Sequence, residues 1–492
     1  MSRAINIILI VSDTFRYDLL RENFIVKNNI RAKTPNLDKF SKEAITFNKA
    51  YHASFPTVPN RHDLLIGRYT FTYYGWNPLP KDEIVLPQIL RSAGYISVLI
   101  TDTPHILKDG FNYDRGFDAW IWIRGQENDR YRTDPIEVKL PCKPEKLRGT
   151  AALIQHMRNN ALRRFEEDWI PAKTAMEAVH WLERNYNRHF FLYIDFFDPH
   201  EPWDPPKWYI EKYDPNYEGE EVTYPAYGPC DYLTIDELTH CRALYAGEAT
   251  FVDKWIGLIL EKIEELGLFE NTAIIFTSDH GFYIGEHGLI GKSIIKGNEH
   301  GLAPLYEEVA HIPLIIRLPD ALNYKGKSIE DLVQTPDITA TIIDLAKIKQ
   351  PDFIEGKSLM PLIQGEKIIW RDIAISSPPI YRGAYGGLRV TITNKEYSLI
   401  LASIKSSEEA KKKEDEQIVY WVDGLPRKIK PFGKIDTELY NLFKDPKQQE
   451  NIIENNKDVA ISLRNKFIKF LEEMRVDKSI IEPWLKCKII DF

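Results

Sequence analysis

An α/β fold is what the sequence predicts: a mostly parallel sheet sandwiched by helices, followed by a small C-terminal α+β subdomain. Three observations carry this. Short apolar, β-branched runs recur through most of the chain, and helical periodicity fills the intervals between them. Near residue 379 the pattern changes to a hairpin and a closing helix. The expected division is 1–378 for the larger domain and 379–492 for the smaller.

The first run, Ile5 to Val11, has no polar face and reads as a parallel strand buried on both sides. It lacks a small-residue cleavage site. It is also shorter than the roughly 20 apolar residues that span a bilayer. No other stretch is long enough, so a cytoplasmic protein without membrane attachment is expected. Further strands are expected at Tyr95–Ile100, Phe190–Phe197, Thr272–Thr277, Pro313–Leu318 and Asp372–Ile375. The clearest helix puts Val252, Ile256, Ile259, Ile263 and Leu266 on one stripe and stops at Gly267. Residues 125–180 are rich in Arg, Glu and Pro with weak periodicity, and are expected to form an insertion over a pocket rim. Lys405–Glu416 is a mixed charge run, expected as a solvated loop between strands. In the smaller domain, Leu388–Thr393 and Tyr397–Ala402 read as a hairpin and Val459–Met474 as the closing helix.

At 492 residues with 43% hydrophobic content, the chain has ample material for a core. A net charge of -8 argues against generic binding to nucleic acid or anionic membranes. Four cysteines form neither a metal spacing nor a disulfide framework. A homo-oligomer is left open.

In open α/β sheets, ligands bind beyond the carboxyl ends of the strands. Asp13 ends the first strand there, and Asp279-His280 ends the fourth. A carboxylate after an apolar run is costly unless it is paired or bound to a metal. These three residues are plausible ligands for one divalent ion. For Asp13 alone, ligand and helix cap stand even. For Asp279-His280-Gly281 the ligand reading is preferred. Mixed oxygen and nitrogen ligands suit Mn²⁺, Zn²⁺ or Mg²⁺, while Ca²⁺, which prefers all-oxygen shells, stays as a fourth alternative.

Thr57 precedes Pro59, which suits the first turn of a helix running to about Gly67. The start of such a helix is a natural site for a phosphate or sulfate. A metal on the Thr57 hydroxyl would lower its pKa and supply a nucleophile. Arg61, one turn on, is expected to grip the non-bridging oxygens in a bidentate fork. Lys292 is a candidate to neutralise the transferred group, with Lys296 competing. His200, in Asp198-Pro199-His200-Glu201-Pro202, is a candidate proton donor to the leaving oxygen. Each of these residues alone has a bland reading as a capped helix, a surface lysine or a satisfied polar loop. Tyr73, Tyr74, Trp76, Trp122 and Trp203 are as ready to be core as to line a pocket, and Arg124–Glu127 is a candidate rim.

Together these stretches resemble the sulfatase branch of the alkaline phosphatase superfamily. Asn6–Asp13 resembles its first strand and metal aspartate, and Thr34-Pro35-Asn36-Leu37-Asp38 its next helix. Thr57-Val58-Pro59-Asn60-Arg61, followed by His62 to Arg68, is similar to the nucleophile segment: Cys or Ser, any residue, Pro, any residue, Arg, then a short helix ending in Gly-Arg. Counting back eleven from Arg68 puts the nucleophile on Thr57. Pro199–Pro202, Ser278–Gly281 and Gly285–Lys292 match the later motifs, as do Gln334–Ile338 and Glu438–Leu442. The match runs in order along nearly the whole chain. The resemblance implies an alkaline-phosphatase-like fold. It also implies one divalent metal held by Asp13, Asp279, His280 and Thr57, with Arg61, Lys292 and His200 serving the transferred group of a small anionic ester.

Three departures shape the expected chemistry. The family's Asp-Asp pair is Asp13-Thr14 here, one carboxylate fewer, as in the phosphonate monoester hydrolase and phosphodiesterase subgroup. The family's "GKWH" is replaced by Thr101-Asp102-Thr103-Pro104-His105, leaving only His105, shifted by one. The nucleophile is Thr57, a secondary alcohol, where a sulfatase carries the aldehyde formylglycine made from Cys or Ser. No formylglycine is therefore expected, and a phosphate or phosphonate ester hydrolase is favoured. A true arylsulfatase using unmodified Thr57, and a metal-binding pseudoenzyme, are the alternatives.

Overall fold

The apolar run that opens the chain forms strand β1 (Asn6–Ser12), buried along its whole length. Its side chains alternate between two cores. Ile8 and Ile10 enter one; Ile7, Leu9 and Val11 enter the other. A strand with helices on both faces must be apolar at every position, which is why β1 shows no alternation. The computed structural model describes residues 5–296, 299–381, 388–403, 419–422, 425–429 and 436–485.

Seven further strands complete the main sheet: β2 (Ile45–Phe47), β3 (Ile96–Thr101), β4 (Ala119–Trp122), β5 (Phe190–Phe196), β6 (Thr272–Thr277), β7 (Leu314–Arg317) and β8 (Lys327–Ile329). Their order is β8-β2-β7-β6-β1-β5-β3-β4. The block from β6 to β4 is parallel throughout, and β7 is antiparallel to both neighbours. Expected strands therefore appear within a residue or two of their predicted ends. The short strands β2, β4 and β8 were not anticipated, because three or four residues carry too little pattern.

One core packs under α1 (Pro35–Lys42), α3 (Ile170–Asn185) and α4 (Ile235–Glu265), the last of which lies against the other two. The other packs under α2 (Thr57–Ile66) and α5 (Thr335–Leu345). The stripe Val252, Ile256, Ile259 and Ile263 is buried as predicted, and Gly267 takes a left-handed φ of 66° just past the helix end. Thr234 caps the start of α4 by accepting from the Glu237 amide at 3.2 Å.

Two expectations need correction. The stretch 125–180 is more than a rim insertion: its end is the start of α3, whose Ile170, Ala172, Ala175 and Ala178 are buried in the core. The run Asp372–Ile375 does not join the main sheet. Ala374–Ser376 instead forms β9, pairing antiparallel with β10 (Arg389–Thr393). β10 pairs with β11 (Tyr397–Ala402), and β11 with β12 (Glu438–Asn441), giving a small four-stranded sheet. The expected hairpin is β10–β11, and the closing helix, α6, spans Lys457–Glu473 against it. The charge run Lys405–Glu416 lies outside the described residues. Among the described residues, no helix is long and apolar enough to cross a membrane.

Candidate active site

The carboxyl ends of β1, β3, β5 and β6 point the same way, because these strands are parallel neighbours. Four loops therefore meet above the sheet, carrying Asp13, Thr101–His105, Asp198–His200 and Asp279-His280. The amino end of α2 brings Thr57 to the same place. All ten residues of α2 are buried, Pro59 sits in its first turn, and Gly67 closes it with its amide on the Asp63 carbonyl at 2.8 Å. Gly281, after the Asp-His pair, is needed for space: a Cβ there would collide with the carbonyl of Glu308.

Asp13, Asp279 and His280 are all fully buried, and one ligand atom from each lies within 4.8 Å of the others. His280 donates from Nδ1 to the Gly281 carbonyl at 2.9 Å, which turns Nε2 toward the cluster. Both oxygens of Asp13 are buried without a hydrogen bond, and their cationic neighbours are Arg61 Nη1, 3.1 Å from Oδ2, and Lys292 Nζ, 3.9 Å from Oδ1. Unpaired buried carboxylate oxygens are costly, and a cation is the partner that would satisfy them. Burial and the facing charge of Asp279 push Asp13 well above the usual carboxylate range. Asp279 is buried too, yet His280, Arg61 and Lys292 hold it well below that range. Two facing carboxylates, of which Asp13 has no hydrogen bond, fit a divalent ion held by Asp13, Asp279 and His280.

The Thr57 hydroxyl accepts a hydrogen bond from Lys292 Nζ at 3.1 Å and lies 3.4 Å from His280 Nε2. Lys292 Nζ is also 3.2 Å from His280 Nε2 and 3.9 Å from Asp13 Oδ1. The competing Lys296 lies outside the residues whose side chains are described. His200 is buried, stacked on Phe197 at 4.2 Å, and holds the Glu201 carbonyl through Nδ1 at 2.8 Å. Burial and the Lys292 charge push its pKa well down, so the ring is neutral and Nε2 is its proton-exchanging atom.

Arg61 does not do what was expected of it. Its Nε and Nη2 form a fork on Asp195, at 2.9 and 2.8 Å, instead of waiting for a substrate. Its Nη1 reaches Asp279 Oδ2 at 2.5 Å and Asp13 Oδ2 at 3.1 Å. Arg61 is 1% exposed, so its charge is turned toward the Asp13 and Asp279 carboxylates and away from solvent. His105 sits between Trp76 and Phe197, with Nε2 3.1 Å from Glu127 Oε2. Trp203 is core.

The chain matches a known family along most of its length. The sulfatase family model matches residues 5–348, and a model of the C-terminal part of N-sulphoglucosamine sulphohydrolase matches 298–401. The chain belongs to the sulfatase family. As a member it is a hydrolase of ester bonds with the alkaline-phosphatase-like fold. It is 27% identical to an arylsulfatase of Clostridium perfringens, over 75% of this chain and 80% of that one. It is 26% identical to the multifunctional alkaline phosphatase superfamily protein PehA of Trinickia caryophylli, over 74% and 78%. The phosphonate monoester hydrolase of Agrobacterium radiobacter superposes with a TM-score of 0.70 at 20% identity, covering 97% of each chain.

Sequence reading missed part of this sulfatase-family site. Asp195 lies inside an apolar strand and belongs to no motif. Arg148 is held by Glu127 and Glu201, the latter at 2.5 Å, under the rings of Tyr224 and Tyr227. Glu127 had been singled out only as rim, and nothing in the weakly periodic segment around Arg148 marks it.

Proposed function

We propose that this protein is a metal-dependent hydrolase of small anionic phosphate or phosphonate esters, with Thr57 as the nucleophile. One observation carries the reading: the Thr57 hydroxyl, at the family's nucleophile position, lies within 3.4 Å of both Lys292 and His280, and His280 clusters with the carboxylates of Asp13 and Asp279. A divalent ion held by Asp13, Asp279 and His280, with Thr57 as a further ligand, would supply Lewis acidity that favours the ionised hydroxyl.

The chain's own residues account for the remaining steps. Lys292 donates to Thr57 Oγ and stabilises its anionic form. The free amides at the start of α2 face the incoming anion. Thr57 Oγ bonds to the transferred phosphorus as its own proton passes to His200 Nε2, and His200 Nε2 returns that proton to the ester oxygen as it departs. Water then attacks phosphorus, His200 Nε2 takes the water proton, and it passes that proton to Thr57 Oγ as the bond from Oγ to phosphorus breaks. A secondary alkoxide cannot give an aldehyde, so the route by which formylglycine expels sulfate is closed to Thr57. The intermediate must be hydrolysed at the transferred atom, which favours phosphorus over sulfur.

A true arylsulfatase using Thr57 is the second reading, supported by family membership. Metal-supplemented enzyme assayed on matched p-nitrophenyl phosphate, phosphonate, phosphodiester and sulfate separates the two. Phosphorus esters should turn over fastest, and Thr57→Ala should abolish turnover, by about 10⁴-fold or more. Faster sulfate hydrolysis would favour the second reading. No turnover of any ester by the parent would point to a binding protein.

A further inference from the structure

Asp195 is a charged residue where the fold asks for an apolar one: the sixth residue of the central strand β5, 0% exposed. It is saturated with donors. Arg61 Nε reaches Oδ2 at 2.9 Å and Arg61 Nη2 reaches Oδ1 at 2.8 Å. The Thr103 hydroxyl donates to Oδ1 at 2.9 Å, and the Tyr193 hydroxyl to Oδ2 at 2.9 Å. Two parallel bonds to a planar guanidinium fix its orientation. The third nitrogen, Nη1, is thereby aimed at Asp279 Oδ2 and Asp13 Oδ2.

We propose that Asp195 is a positioning residue for the metal centre: it holds Arg61 as a fixed internal counter-ion behind Asp13 and Asp279. The inference rests on the metal-dependent reading above. Asp13, Asp195, Asp279 and Arg61 together carry a formal charge of −2, which attracts a divalent ion even with Lys292 3.9 Å from Asp13. Without the charge of Asp195 the sum falls to −1, and the Arg61 charge opposes the incoming cation at close range in a water-poor site. Arg61 also spans the two metal carboxylates, so any freedom in the guanidinium loosens their spacing. Thr103 gives the segment that replaces the family's "GKWH" a definite task, since its hydroxyl locks Asp195 from the neighbouring strand end.

The test is Mn²⁺ binding to metal-free protein, read by the electron paramagnetic resonance of free Mn²⁺ and by calorimetry, on full-length parent, Asp195→Asn, Thr103→Val and Tyr193→Phe. Outer-shell partners of metal ligands typically govern affinity by roughly 10- to 100-fold, and a loss of that size is expected for Asp195→Asn. Thr103→Val and Tyr193→Phe keep the charge and the fork, so a loss of only a few-fold is expected. A role in folding alone would lower Tm without moving the Kd of the folded protein. Parent-like affinity in folded Asp195→Asn would overturn the inference. Should Asp195→Asn not fold, unchanged affinity in both hydroxyl variants would overturn it equally. A parent that binds no divalent ion would fail the metal reading itself, an outcome separate from these.

Discussion

The ammonium of Lys292 donates a hydrogen bond to the hydroxyl of Thr57 at 3.1 Å, between residues 235 apart in the chain. Because Lys292 also lies 3.2 Å from His280 Nε2, it touches the proposed nucleophile and a proposed metal ligand at once. Removing this charge takes away the stabilisation of the Thr57 anion and of the transferred group. Lys292→Ala is predicted to lower kcat/KM by about 10²- to 10³-fold on a phosphorus ester. Steady-state kinetics check this; a loss under tenfold would place the lysine outside the reaction.

Asp13 is buried without a hydrogen bond and is repelled by Asp279, which makes the metal-free site a local liability. Chelation is therefore predicted to abolish turnover and lower Tm, with recovery on adding Mn²⁺. A ligand at 100 times its Kd stabilises by about 2.7 kcal/mol. A thermal melt with and without chelator reads the shift, and identical melts would count against a metal at Asp13.

His52 has both ring nitrogens buried and without partners, and burial pushes its pKa down to about 3. The unfolded chain takes up a proton below about pH 6.5, whereas the folded ring stays neutral. Stability from this group is thus present above pH 6.5 and lost as pH falls toward 3. The slope is at most about 1.4 kcal/mol per pH unit. His52→Phe keeps a ring against Phe55 and is predicted to flatten the urea stability profile between pH 4 and 6.5. An unchanged slope would show that other groups carry the acid sensitivity.

Arg148 links Glu127 and Glu201, both 0% exposed. Arg148→Met strands two buried carboxylates, and a destabilisation of about 3–5 kcal/mol is predicted. Adding Glu127→Gln and Glu201→Gln should restore part of it. Chemical denaturation of the three proteins checks this, and a mild effect of Arg148→Met alone would show that the carboxylates find water or protons instead.

Legibility in the sequence followed the physics of each element. Ile5–Val11 and Thr272–Thr277 announce buried strands because helices cover both faces of the sheet. The run Asp372–Ile375 was legible as a strand, but its choice of the small sheet depends on β10, which lies further along the chain. At the site, Asp13, Thr57, Asp279, His280 and Lys292 were legible because they fall at strand or helix ends in a known order, and the fold brings them together. Asp195, Thr103, Glu127 and Arg148 act through contacts between distant segments, so no local pattern records them. Arg61 was legible as a site residue but not in its direction, since that is set by Asp195 from another strand.

The central claim is that Thr57 itself becomes covalently bound to the transferred group. The direct measurement is peptide mass spectrometry on enzyme quenched in acid during turnover of a slow phosphate or phosphonate ester, with Thr57→Ala alongside. The account predicts a phosphorus adduct on Thr57 in the peptide that ends in Arg61, absent from the variant. An unmodified Thr57 throughout turnover, with Thr57→Ala still active, would contradict it.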